Sequence, residues 1–82
     1  MLKKKDALPG TVITFNEMVS GYDRPGHFLT GSKITLDSSD SAIIVENPKK
    51  VKDLAGLVIP LQYENRIYWF YWEDIYLYGK LK

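Results

Sequence analysis

The 82-residue sequence has no cysteine and a single histidine, His27. Without thiols, neither a disulfide nor a thiolate metal site can supplement the core. Charge of one sign is not in excess either: eleven Lys+Arg face ten Asp+Glu, a formal net charge of +1. That balance excludes a strongly basic nucleic-acid coat and an acidic mimic. No apolar run approaches the ~18 residues of a membrane span, and the most apolar stretch, Leu54 to Leu61, is broken by Gly56 and Pro60. The opening Met1 to Gly10 carries Lys3, Lys4 and Lys5 with no apolar stretch after them, so no secretory signal is expected. These absences predict a soluble, cytoplasmic protein. Residues 1–8 are expected to form a flexible, solvated basic end.

The composition that remains, 45% hydrophobic and 26% charged, is that of a globular chain and not of a disordered one. Its length predicts one small domain over residues 1–82. A domain of this size buries only about 60–65% of the surface its unfolded chain exposes, so packing, or self-association, must supply all its stability. Helical periodicity is poor throughout. Strand-like runs rich in Val, Ile, Thr, Tyr, Phe and Trp dominate: Thr11–Phe15, Lys33–Leu36, Ser41–Glu46, Leu57–Tyr63, Arg66–Trp72 and a short Ile75–Tyr78. Turn chemistry separates them at Pro9-Gly10, Gly21 to Gly26, Asp37 to Asp40 and Asn47-Pro48. Asn16–Ser32 reads as one long irregular segment.

One hairpin is legible in detail. Glu64-Asn65 lies between two apolar runs at the spacing of a two-residue turn, with Asn65 suited to a positive φ. That turn pairs Tyr63 with Arg66, Leu61 with Tyr68, Pro60 with Trp69, Ile59 with Phe70 and Leu57 with Trp72. Alternation then places Leu57, Ile59, Leu61, Tyr68, Phe70 and Trp72 on a core face. Val58, Pro60, Gln62, Ile67, Trp69 and Tyr71 fall on the other. Pro60 presents no donor to its far side, so the strand should be an edge or bulged there.

The order of strands, with a long first loop and short later turns, resembles a small SH3-like barrel. The resemblance rests on Pro9-Gly10-Thr11-Val12-Ile13 as a first strand after a tight turn and on Phe28 to Leu36 as the end of the long loop with its exit strand. Tyr68 to Leu77 resembles the closing strand, short turn and final strand of SH3 and transcription-elongation (KOW-type) barrels. An Ala-Leu-Tyr-Asp-Tyr-like first motif and a paired tryptophan, which mark proline-peptide binders, are missing. The resemblance therefore implies an architecture and not proline-peptide recognition. The expected fold class is all-β: an SH3-like barrel or a strongly bent five- to six-stranded antiparallel sheet.

Candidate chemistry is sparse. His27 has Asp23 near it in sequence but no nucleophile placed beside the pair, and neither Asp23 with His27 nor Asp37 with Asp40 has a recognised ligand spacing. The glycines at 21, 26 and 31 match no phosphate-binding fingerprint. No catalytic residue, metal or cofactor is expected, and the chain is read as a non-enzyme. The informative feature is aromatic density: eight of eleven aromatics lie between Tyr63 and Tyr78, more than one hairpin face can hide. Ile67, Trp69, Tyr71, Arg66, Val58 and Tyr22 are the candidate partner-binding residues, since Trp, Tyr and Arg dominate interface hot spots. Three occupants of that face stand open. The Asn16–Ser32 segment, with Met18, Val19, Tyr22, Phe28 and Leu29, would fold over it as a second core. A protein partner or a second copy would dock on it. Nucleobases would stack on it, aided by Lys49, Lys50 and Lys52. The function expected is a protein-interaction module, of the kind a bacterial or phage accessory protein uses on a larger machine, with a small nucleic-acid-binding barrel as the alternative. Trp69→Ala is expected to weaken partner binding with the fold intact, whereas Trp72→Ala should cost about 3–5 kcal/mol as a core deletion; chemical denaturation of the two variants side by side tests the face assignment.

Overall fold

The computed structural model describes residues 1–25, 29–52 and 54–82; His27 and Phe28 lie outside them. Among the described residues eight strands form one sheet in which every pairing is antiparallel: β1 (Val12–Phe15), β2 (Val19–Arg24), β3 (Thr30–Leu36), β4 (Ser41–Ile44), β5 (Lys49–Lys50), β6 (Leu57–Tyr63), β7 (Arg66–Tyr71) and β8 (Gly79–Leu81). Their order is β3-β2-β7-β6-β4-β1-β8, with β5 beside β6. The sheet is not closed: β3 and β8 stand at its two ends. Among the described residues the fold is all-β with one short α-helix, α1 (Trp72–Tyr78), and a single 3-10 turn at Lys4–Asp6, and its strand number exceeds the five or six expected.

The β6–β7 hairpin has the expected register from Tyr63↔Arg66 through Leu61↔Tyr68 and Pro60↔Trp69 to Ile59↔Phe70. The left-handed backbone of its turn falls on Glu64 (φ 56°), not on Asn65. Pairing stops at Val58↔Tyr71, so the expected Leu57–Trp72 pair does not form. Trp72 instead opens α1, which replaces the expected strand at Ile75–Tyr78. Glu73 and Asp74 occupy its first turn, where carboxylates complement the helix dipole. Trp72 and Tyr76, one turn apart, pack with their rings tilted 55° to each other and centroids 6.2 Å apart, and Ile75 is buried in the core.

The core lies on one face of the sheet. Ile13 and Phe15 of β1, Val19 of β2, Leu36 of β3, Ala42 and Ile44 of β4, Ile59 and Leu61 of β6 and Tyr68 and Phe70 of β7 form a single cluster with Ile75. Leu36 of the end strand β3 shares this cluster with Ile13 and Phe15 of β1, one strand from the other end, so the sheet bends around this face. Leu2 and Ala7 are buried in the same cluster, and the Leu2 amide donates to the Tyr76 carbonyl at 3.0 Å. Leu2 and Ala7 thus hold the start of the chain against the sheet, while Met1, Lys3, Lys4, Lys5 and Leu8 are exposed.

The segment Asn16–Ser32 is not a loop, since it contains β2 and the start of β3. β2 pairs with β3 along its length, with a bulge between Tyr22 and Arg24. Its contact with β7 runs through Tyr22↔Trp69. Gly21, beside that pair, has the Phe70 ring lying against its α-carbon, in the space a Cβ would take. Pro60 is neither at an edge nor in a bulge. β6 is an interior strand, and its neighbour on that side is split: β4 pairs as far as Leu61, β5 begins at Val58, and between them the Val45 amide donates to the Pro60 carbonyl at 3.0 Å. The missing donor of the proline faces the break, where no ladder bond is required.

At the other turn of note, Asp37 accepts from the Ser39 hydroxyl (2.6 Å) and amide (2.9 Å), and these bonds hold its carboxyl below the usual aspartate value. Asp40 caps the Asp37 amide and accepts from the Tyr63 hydroxyl at 2.8 Å, which ties the turn to β6 and pushes the phenol's pKa up.

The Phe70–Gly21 contact yields a stability prediction. Gly21→Ala should cost about 1–3 kcal/mol by overpacking. Shortening the ring with Phe70→Leu should make the double variant less damaged than the sum of the two singles. Urea denaturation of the four proteins measures this, and strict additivity would show that the two residues do not share the space.

Candidate functional site

The outer face of the sheet is the one turned away from the main core. Alternation places on it Val12 and Thr14 of β1, Ser20 and Tyr22 of β2, Lys33 and Thr35 of β3, and Ser41 and Ile43 of β4. Lys49 of β5, Val58, Pro60 and Gln62 of β6, Ile67, Trp69 and Tyr71 of β7 and Lys80 of β8 complete it. Half of this face is covered. Val58 is fully buried in a second, smaller cluster with Leu29 and Leu54, against which Tyr22, Val51, Trp69 and Tyr71 pack half-buried. The Tyr71 hydroxyl accepts from the Leu29 amide at 3.3 Å. Lys49 stands over the Trp69 ring, its ammonium 5.1 Å from the centroid, while also pairing with Glu46 at 3.2 Å.

The structure thus brings five of the six candidate partner-binding residues onto one face, in different roles. Tyr22, Trp69 and Tyr71 form the half-buried floor, Val58 lies beneath it, and Ile67 is exposed (46%). Arg66 goes to the other side, because the alternation that turns Trp69 outward turns Arg66 with Tyr68. Its guanidinium lies 6.0 Å from the Tyr68 ring centroid and 3.8 Å from an Asp23 carboxylate oxygen. Among the described residues of Asn16–Ser32, Tyr22 and Leu29 join the cover of this face, and Phe28 lies outside them. Val19 is in the main core and Met18 is exposed (69%). Val51 and Leu54 supply the rest of the cover, and sequence reading missed them because they lie on an irregular segment with no period to reveal its buried side.

The uncovered half carries residues that sequence reading left out of the site. Val12 pairs with Ile43, Ile43 with Gln62 and Gln62 with Ile67, so these four form one row across β1, β4, β6 and β7. Val12 (38%), Ile43 (40%) and Ile67 (46%) are all exposed. The signal in the sequence was the outward position of Val12 and Ile43 in their own strands, usable only once the strands are ordered.

Of the alternative lysines, Lys49 is engaged as above and Lys50 donates to the Leu54 carbonyl, while Lys52 is exposed. An open cavity of about 540 Å³ lies where Ala55–Leu57 face Tyr71 and the first turn of α1. There, partial burial and the neighbouring Glu73 push the Asp74 carboxyl up. Among the described residues no three His, Cys, Asp or Glu side chains are grouped to hold a metal ion, and no helix is long and apolar enough to cross a membrane. No protein-family model matches the chain, and no curated protein or solved structure matches it.

The cover over Trp69 can be tested directly. Leu54→Ala should destabilise the protein by about 2–3 kcal/mol and red-shift the Trp69 emission, recorded in a Trp72→Phe background. An unshifted emission would show that Leu54 does not shield the indole.

Proposed function

We propose that this chain is a non-catalytic protein-interaction module that binds another protein through the outer face of its sheet, beside the aromatic hairpin. The observation that carries this reading is the exposed row Val12–Ile43–Ile67 on interior strands, continuous with the half-buried Trp69, Tyr71 and Tyr22. Isolated apolar residues on a surface need no explanation, but three aliphatic side chains from β1, β4 and β7, in one row with Gln62 of β6, form a patch that water disfavours. The single histidine and the absence of cysteine leave little for catalysis. A protein partner is favoured over nucleic acid because the exposed apolar groups are aliphatic, whereas bases stack on aromatic faces, and the Trp69 ring is already occupied by Lys49. We read the architecture as a relative of the small SH3-like barrels, opened between β3 and β8.

The test is capture on the immobilised chain from lysate of the source cells, with and without nuclease, using wild type and Ile67→Asp. Ile67 is half exposed, so its replacement should change stability by no more than about 0.5 kcal/mol. A protein retained after nuclease and lost with Ile67→Asp is the expected result. Association that nuclease abolishes would transfer the face to nucleic acid, and association indifferent to Ile67→Asp would place the contact elsewhere.

A further inference from the structure

Charge on the outer face is segregated in a way that net charge hides. Its strand positions bear three lysines, Lys33, Lys49 and Lys80, and no carboxylate, although the whole chain has ten Asp+Glu. The described acids sit on turns, on α1, on the N-terminal segment and at Asp23. Glu46 neutralises Lys49, but Lys33 and Lys80 make no ion pair among the described residues. They lie on β3 and β8, the two ends of the strand path, so the row of Val12, Ile43, Gln62 and Ile67 runs between two cations that no described acid pairs. A second copy laid on this face would bring lysine toward lysine, with no acid from the strands to meet it.

The shape narrows the partner further. β1, β4, β6 and β7 are interior strands whose backbone groups face neighbouring strands, so the row offers side chains and no free sheet edge. A strand cannot add to such a surface, while a helix packs on a sheet face through its side chains alone. Three inter-strand spacings put Val12 and Ile67 about 14 Å apart. The apolar positions i, i+4, i+7 and i+11 of a helix span about 16.5 Å, enough to cover the row.

Building on the interaction-module reading, we propose that the row receives an amphipathic helix of a partner protein whose apolar stripe is bordered by aspartate or glutamate. Val12, Ile43 and Ile67 take the stripe, and Lys33 and Lys80 meet the acidic borders.

The experiment is an NMR titration of the ¹⁵N-labelled chain with three synthetic amphipathic peptides. They share one leucine stripe and differ only in glutamate, glutamine or lysine borders; an oligo-dT strand serves as the fourth probe. The glutamate peptide should perturb Val12, Ile43 and Ile67 and bind about five-fold tighter than its glutamine twin, as two partly screened charge pairs allow. In the Lys33→Glu/Lys80→Glu variant the preference should reverse toward the lysine peptide, a result that a merely misfolded variant cannot give. Equal binding of the glutamate and glutamine peptides at the same residues would remove the acidic partner and leave the interaction face standing. Perturbation elsewhere, or none with any peptide, would overturn both. Tighter binding of oligo-dT at these residues would assign the face to nucleic acid, and a dimer that Ile43→Ser dissolves would assign it to a second copy; either overturns the proposal.

Discussion

The ring of Phe70 lying on Gly21 is the contact on which the rest of the sheet depends. β2 and β3 form a hairpin of their own, and β7, β6, β4, β1 and β8 form the remainder of the path. The two parts meet along β2 and β7, where Tyr22↔Trp69 is the registered pair. On the inner side of that pair the aromatic ring occupies the volume glycine vacates, and on the outer side Tyr22 packs into the Leu29–Leu54–Val58 cluster. One seam is thus clamped from both faces by aromatic side chains, which bury much area for each position they use. Only a residue without a Cβ lets β2 approach closely enough for the inner clamp to close.

The outer cluster follows from the same hairpin by a different route. A proline in an interior strand normally removes a ladder bond, yet here the neighbouring strand is broken opposite Pro60, and residues 45–48 carry the chain from β4 to β5. β5 then delivers Lys49 onto the Trp69 ring, and the segment after it delivers Val51 and Leu54. Shielding of the aromatics is therefore coupled to the interruption at Pro60. It stops short of Val12, Ile43 and Ile67 because no described segment passes over that half of the face.

Much of the central hairpin was readable from residues alone, because two apolar runs flanking Glu64-Asn65 leave one register that segregates the side chains. The core face came out as read for Ile59, Leu61, Tyr68 and Phe70, but not for the Leu57–Trp72 pair, and the outward Trp69 and Tyr71 are half-covered. β2 was not readable. Its inward positions are Val19 and Gly21, and a glycine gives no hydrophobic signal although its smallness is what the packing requires. α1 was mistaken for a strand because Ile75, Tyr76, Leu77 and Tyr78 are residues that strands favour, and two turns are too short for a helical period to emerge. Leu2 anchors the start of the chain as a single residue, a pattern no window detects. Arg66 was placed with Trp69 by proximity in sequence, where alternation alone separates them.

The strand order has a kinetic meaning. The hairpins β2–β3 and β6–β7 join neighbours in sequence, but β1 pairs with β8 near the opposite end of the chain, and β2 must find β7 across four intervening strands. Each of these long-range pairings closes a large loop, whose entropy is lost before the contacts that compensate for it are complete. The Gly21–Phe70 seam lies in that late class. By this entropy argument the β2–β7 seam is expected to close after the two hairpins have formed.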